Sequence, residues 1–187
     1  MKLKGVVLVL AWLCIFSASA AMAQTPQAMN ASRTWFVVKI VSQRQGAFRP
    51  EAPHGGIDGI RFSSQATSPR DSATGLPSGK RQYSPITFTK AWGPASPQIL
   101  AALANNEVLS TVTFEFYRTG ADAKQFLYQT VVLTNATVSS VRRYLDSPNG
   151  AEPPDPRALE DVSLTFQKIE LKDASGSVAL DDWSVRM

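Results

Sequence analysis

The 187-residue chain contains a single cysteine and a single histidine. These two scarcities exclude whole classes of chemistry. Cys14 lies inside an apolar run near the start, so the remainder has no thiol nucleophile, disulfide framework or sulfur ligand. Trp12 and Leu13 precede it where a lipoprotein would need a small residue. A hydrolytic triad needs a base beside its nucleophile, and zinc needs several N or S ligands. His54, within Pro53–Gly56, reads instead as a solvated surface histidine. No metal and no other cofactor is expected. One-signed charge is also scarce, with a formal net charge of +4 that falls to +2 without Lys2 and Lys4. The basic pairs Lys80-Arg81 and Arg142-Arg143 lack interleaved aromatics, so no nucleic-acid partner is expected.

A long hydrophobic run is missing as well. The apolar stretch Val6–Phe16 is shorter than the ~20 residues of a membrane span. It follows a basic start at Lys2 and Lys4 and precedes an A-x-A pattern at Ala21-Met22-Ala23. Residues 1–23 therefore read as a secretory signal peptide cleaved after Ala23, leaving no membrane partner and a periplasmic or secreted protein. Residues 24–33 are polar and read as a flexible leader. Residues 34–187 form one domain, long enough to bury roughly two thirds of its unfolded surface.

What is present is mostly period-two alternation. Trp35–Val41 is a strand with apolar residues on both faces, which requires cover on both sides or a second subunit. Ser42–Gly59 has Gly, Pro and charge without period and reads as a long loop. Ile60–Ser64 is a short strand, and Ser64–Arg81 is a Ser/Gly/Pro-rich connection expected to be mobile. Ile86 and Phe88 share one strand face. Ser96-Pro97 then predicts a helix with Ser96 as N-cap, Ile99, Leu100 and Leu103 on its apolar side, and Asn105-Asn106 as its stop. From Val108 the alternation resumes, with Val112, Phe114 and Phe116 on one face. Two further strands, Lys124–Leu133 and Ala136–Leu145, follow, the second with a bulge between Val138 and Val141. After a loop at Asp146–Pro156, Val162, Leu164 and Phe166 share a face. Ile169 and Leu171 fall out of phase with them, which predicts a bulge or a passage to another packing surface. A last strand, Val178–Val185, carries Trp183 as anchor. The fold class is mainly β, a barrel of about eight strands with one short flanking α-helix.

The apparent motifs fail on spacing or context. Gly75–Arg81 (GLPSGKR) has too few residues between its glycines for a phosphate loop and lacks the following Ser or Thr. Gly55–Gly59 is followed by no helix, so it is no dinucleotide fingerprint. Glu160-Asp161 and Asp181-Asp182 are adjacent on strands and point to opposite faces, so neither couple can cleave a glycosidic bond; they read as solvated charges. Asp173–Ser177 lacks the carboxylates of a calcium loop. Asn30 and Asn135 open sequons that matter only in a glycosylating host. The expectation is a protein that is not an enzyme.

Three ordered segments carry a resemblance: ITFTKAWGPASPQILAAL from Ile86, VLSTVTFEFYRTGADAKQFLYQTVVLTNATVSSV from Val108, and EDVSLTFQKIEL from Glu160. Together with the Trp-containing end at Asp182-Trp183 they resemble the Hcp family, the tube protein of the type VI secretion system, over Tyr83–Val185. The resemblance implies an Hcp-like β-barrel with a flanking helix. It also implies a homohexameric ring that stacks into a tube, small effector proteins inside the channel, and sheath and spike proteins as partners. By position after the first strand, the Ser42–Gly59 loop is assigned to ring stacking, through Arg44, Phe48, Arg49, Glu51 and His54. A cleavable signal peptide departs from that family's pattern, in which subunits assemble in the cytoplasm. The competing reading is an exported β-barrel binding module outside any secretion tube.

Overall fold

The computed structural model describes residues 34–51, 55–120, 122–146 and 157–182. His54, residues 1–33, most of the Asp146–Pro156 loop and the Trp183 anchor lie outside them. The described elements are β1 (Thr34–Ser42), β2 (Gly46–Ala47), β3 (Ile57–Gly59), β4 (Arg61–Ser63), β5 (Ala66–Thr67), β6 (Gln82–Tyr83), β7 (Ile86–Ala91) and α1 (Ser96–Ala104). They continue with β8 (Val108–Thr119), β9 (Gln125–Asp146), β10 (Arg157–Thr165), β11 (Lys168–Asp173) and β12 (Val178–Asp182).

The main sheet runs β1-β8-β9-β10-β7-β4, antiparallel at each pairing. Its two ends are joined by one short stretch of chain. β3 pairs with β1, β4 pairs with β7, and between them the Ile60 N–H donates to the Thr89 carbonyl at 2.8 Å. Residues 57–63 thus form the seam that closes the barrel. The close approach at this seam demands Gly59, because a Cβ there would lie 1.9 Å from the Phe36 ring.

The core follows the alternation. Phe36, Val38 and Ile40 from β1, Ile86 and Phe88 from β7, and Val112, Phe114 and Phe116 from β8 are all buried. Val162 and Leu164 of β10 join them, with Phe166 packed at the edge. The centre is aromatic: Phe62 lies 5.0 Å from both Phe114 and Phe116, and Phe88 meets Phe114 edge-on at 5.6 Å. The second face of β1 is also used, with Trp35 stacked on Tyr117 at 4.5 Å and Val37 fully buried.

Several expectations are corrected. The two strands predicted at Lys124–Leu133 and Ala136–Leu145 are one strand, β9, of 22 residues. Asn135 at the join adopts φ 50°, a conformation Asn tolerates better than most residues, so pairing continues on both sides of it. The predicted bulge is real and falls at Ser139, which has no partner between the pairs Val138↔Leu164 and Ser140↔Ser163. The phase change after Phe166 is a break between β10 and β11. Both strands pair with the same edge of β9, interrupted opposite Asn135, whose amide donates to Gln167 Oε1 at 2.8 Å.

The helix begins where expected, but Ser96 is not its cap. The N-cap is Ala95, without a side-chain cap bond, and Ser96 is buried with its hydroxyl committed elsewhere. Leu100 is exposed, while Ile99 and Ala102 are buried and Leu103 packs against the core. Asn105 and Asn106 do end the helix, Asn106 at φ 48°. The Ser64–Arg81 connection holds one side of a hairpin arm: β5 pairs with β6 just beyond it, and an Arg70↔Pro77 bridge extends the pairing.

Candidate functional site

The stretch from Ser42 to Gly59 folds back on the barrel at three points. At the first, the Gln43–Gln45 turn wraps the buried Glu107 carboxylate. Glu107 Oε1 accepts the N–H groups of Arg44 (2.9 Å) and Gln45 (3.0 Å), and Oε2 accepts the Gln45 amide at 2.8 Å. Burial pushes the Glu107 pKa up, but the bonds from Gln45, Ser42 and Arg44 outweigh it, and the pKa lies below the ordinary 4.5. The ionised form is therefore held more tightly in the folded state. Its stabilisation is fully present above the unfolded value and is lost as the pH falls through the lower folded value. Glu107→Gln should cost about 1–3 kcal/mol near neutral pH in urea unfolding, and that difference from the parent should shrink below about pH 4. A difference that stays constant with pH would contradict this account.

At the second point Phe48 enters the core at 7% exposure, and its N–H bonds the Ile40 carbonyl at 2.9 Å. The Arg49 N–H donates to Gln98 Oε1 of α1 at 2.8 Å, while the Arg44 and Arg49 residues themselves are exposed. At the third, Glu51 turns inward and its Oε1 accepts the Ala95 N–H at 2.8 Å, beside the positive end of α1. This approach needs Gly93, since a Cβ there would lie 2.6 Å from the Glu51 carboxylate. Of the residues assigned to stacking, Arg44 and Arg49 thus face solvent, whereas Phe48 and Glu51 are spent on contacts within the chain itself.

Glu51 also leads to a buried charge cluster that the sequence reading missed. Lys90 Nζ is fully buried and lies 3.0 Å from Glu51 Oε1 and 3.1 Å from Glu160 Oε1. It donates as well to the Ala91 carbonyl at 2.6 Å and lies 3.1 Å from Ser96 Oγ. Ser96 Oγ donates to Glu160 Oε1 at 2.7 Å, and Arg143 Nε donates to Glu160 Oε2 at 3.0 Å. Glu160 is therefore no solvated charge; it is fully buried and directly opposite Lys90 across the β7–β10 pair. Its neighbour Asp161 points the other way, accepting the Thr89 hydroxyl at 2.6 Å and the Tyr144 hydroxyl at 3.2 Å. Asp181 is likewise engaged, by Arg81 and the Tyr83 hydroxyl. Alternation alone could have flagged the cluster: Lys90 shares parity with Ile86 and Phe88, and Glu160 with Val162 and Leu164.

The cluster's groups bond one another, and no buried side-chain polar atom among the described residues lacks a partner. Saturated in this way, it fastens α1 to the barrel wall. Among the described residues no group of three or more His, Cys, Asp or Glu is placed to hold a metal ion, and no helix is long and apolar enough to cross a membrane. Lys90, Ser96 and Glu160 belong to the segments FTKAWGPASP and EDVSLTF that carry the family resemblance. Those segments are far apart in sequence and meet at this cluster.

The comparisons agree. The sequence profile of the family described as "Type VI secretion system effector, Hcp" matches residues 41–172. The "Major exported protein" of Pseudomonas aeruginosa is 36% identical over 123 residues, which is 65% of this chain and 72% of that protein. Among solved structures, one described as an Hcp protein superposes with a TM-score of 0.75 at 23% identity, covering 82% of this chain and all of that one. A secreted Hcp protein of Pseudomonas aeruginosa superposes at 0.66 and 26% identity, with coverage of 82% and 100%. A β-barrel with one flanking helix, matched along most of its length by profile, relative and structure, places this chain in the Hcp family of type VI secretion tube and exported proteins.

Proposed function

We propose that this protein is a ring-forming structural subunit whose copies assemble as a homohexamer, with small effector proteins as channel cargo and sheath and spike proteins as partners. The observation that carries the reading is the distribution of exposed apolar side chains. Apart from Val41, Ile60 and Leu76, they fall in two different places. Trp92 (50% exposed), Leu100 and Leu145 lie around α1 and the start of β10; Phe126, Leu127, Leu171, Val178 and Leu180 lie on the start of β9 and on β11–β12. A closed ring needs such a pair of unlike patches, because each copy offers one surface and receives on the other. A third surface carries polar groups suited to a water-filled channel: Arg61, Ser63, Thr87, Thr89 and Asp161, together with Phe62, line one hollow. Arg44 and Arg49 remain the solvent-facing candidates for contact between stacked rings.

The reading also includes export, with cleavage after Ala23 delivering the chain to the periplasm or beyond. Light scattering with particle images of the purified protein should give hexamers, and its intact mass should correspond to a chain starting at Gln24. A strict monomer at high concentration overturns ring assembly, and an uncleaved mass overturns processing.

A further inference from the structure

Phe62 and Phe116 belong to the aromatic centre, and they also line a cavity of about 810 Å³. That volume falls within the range of small-molecule sites, roughly 300–1,000 Å³. One part of the wall is aromatic. Phe62 and Phe116 meet edge-on at 5.0 Å, and Tyr128 continues the row at 6.4 Å from Phe116. Another part is aliphatic, from Ile169 and Leu171 of β11 and Leu180 of β12, and both leucines are exposed. Strand alternation would put only one of two consecutive residues on such a lining, yet both Tyr128 and Gln129 are on it. The cause is a bulge. Leu127 of β9 pairs with Tyr117 and Gln129 with Phe116, so Tyr128 between them has no partner on β8. Bulges re-aim side chains in this way and are over-represented beside functional sites. The polar groups on the lining are few. Arg81 and Asp181 pair with each other, so the lining carries no net charge, and the Tyr83 hydroxyl donates to Asp181 at 2.8 Å. That leaves the Gln129 side-chain amide and the Ser64 hydroxyl, neither of which hydrogen-bonds another described residue.

We propose that this cavity binds one small, flat, uncharged aromatic molecule that carries a hydrogen-bonding group for Gln129. The aromatic row supplies stacking and edge-to-face contact to such a ligand. A charged ligand would lose its hydration without meeting an opposite charge, because Arg81 and Asp181 already cancel. The site goes beyond the ring-forming reading and does not depend on it. The uncharged fluorophore N-phenylnaphthylamine tests it on the purified full chain. It should bind saturably, one molecule per chain, and at least about tenfold more tightly than its sulfonated counterpart, anilinonaphthalene sulfonate. Ala179→Trp puts an indole on the cavity lining, and Leu180→Asp sets a carboxylate in its apolar wall. Each should weaken binding about tenfold or more, and since both positions are exposed neither change disturbs the core. Leu100→Ala, at an exposed leucine of α1 outside the cavity, should leave binding as it is in the parent. Binding that does not saturate, parent-like binding in Ala179→Trp and Leu180→Asp, or tighter binding of the sulfonate overturns the proposal. Release of the fluorophore as copies associate in light scattering also overturns it, and assigns the cavity to a second copy of the chain. A parent that stays monomeric and binds as described removes the ring reading and leaves this site standing.

Discussion

Lys90→Met lowers stability by about 3–5 kcal/mol, because it removes the buried cation that Glu51 and Glu160 share. Among the described residues Glu160 would keep Arg143 and the Ser96 hydroxyl, and Glu51 the Ala95 N–H. At roughly 2–4 °C per kcal/mol for a chain of this size, the melting temperature should fall by roughly 10 °C. The surface pair of Lys39 with Glu115 is the control. Its nitrogen and oxygen are 2.8 Å apart, but the lysine side chain is 44% exposed, and Lys39→Met should cost less than about 1 kcal/mol. Geometry is equally good in both pairs; burial makes the difference. The double variant Lys90→Met with Glu160→Met should be more stable than the sum of the single losses predicts, by about 1–3 kcal/mol. Strict additivity would mean that the two side chains stabilise the barrel independently, contrary to their placement.

Phe114→Ala is the second large effect, expected at about 3–5 kcal/mol in urea unfolding with an unchanged slope. Phe114 is fully buried, and its ring lies 5.0 Å from Phe62, 5.6 Å from Phe88 and 6.4 Å from Phe36. It therefore touches rings carried by the seam, by β7 and by β1. Removing it empties the point at which the closing segment meets the wall. Phe126→Ala, at a residue 48% exposed, should change stability by no more than about 0.5 kcal/mol. If Phe114→Ala cost as little, the aromatic centre would not be what holds the seam.

The sequence revealed those features that depend on near neighbours. Alternation placed Phe36, Phe88, Phe114 and Leu164 inside, and the proline at the helix start and the asparagines at its end marked α1. What it hid depended on partners far along the chain. Ser96 looked like a helix cap because Ser-Pro is a local signature. Its hydroxyl instead goes to Glu160, 64 residues away. Glu160 and Asp161 looked solvated because a carboxylate usually is, and only the cross-strand register puts Lys90 opposite the first of them. The Ser42–Gly59 stretch looked loose for the same reason: its anchors come far later in the chain, Ala95 44 residues after Glu51, Gln98 49 after Arg49 and Glu107 63 after Arg44. Strand count erred in both directions at one place, where Asn135 lets β9 run on while its partner strand breaks.

The seam at residues 57–63 has a consequence for the order of folding. It closes a barrel in which β7 reaches β9 only through β10, and β10 begins at Arg157. Every strand before it can be synthesised while the wall still has a gap one strand wide. The aromatic centre stays open to water until the last sixth of the 187 residues arrives. Long-range pairings of this kind form slowly, since the intervening chain must be ordered first. The topology thus carries its own delay, keeping the chain threadable until nearly all of it exists. Closure of the wall therefore waits on β10, whichever of the earlier strands have already paired.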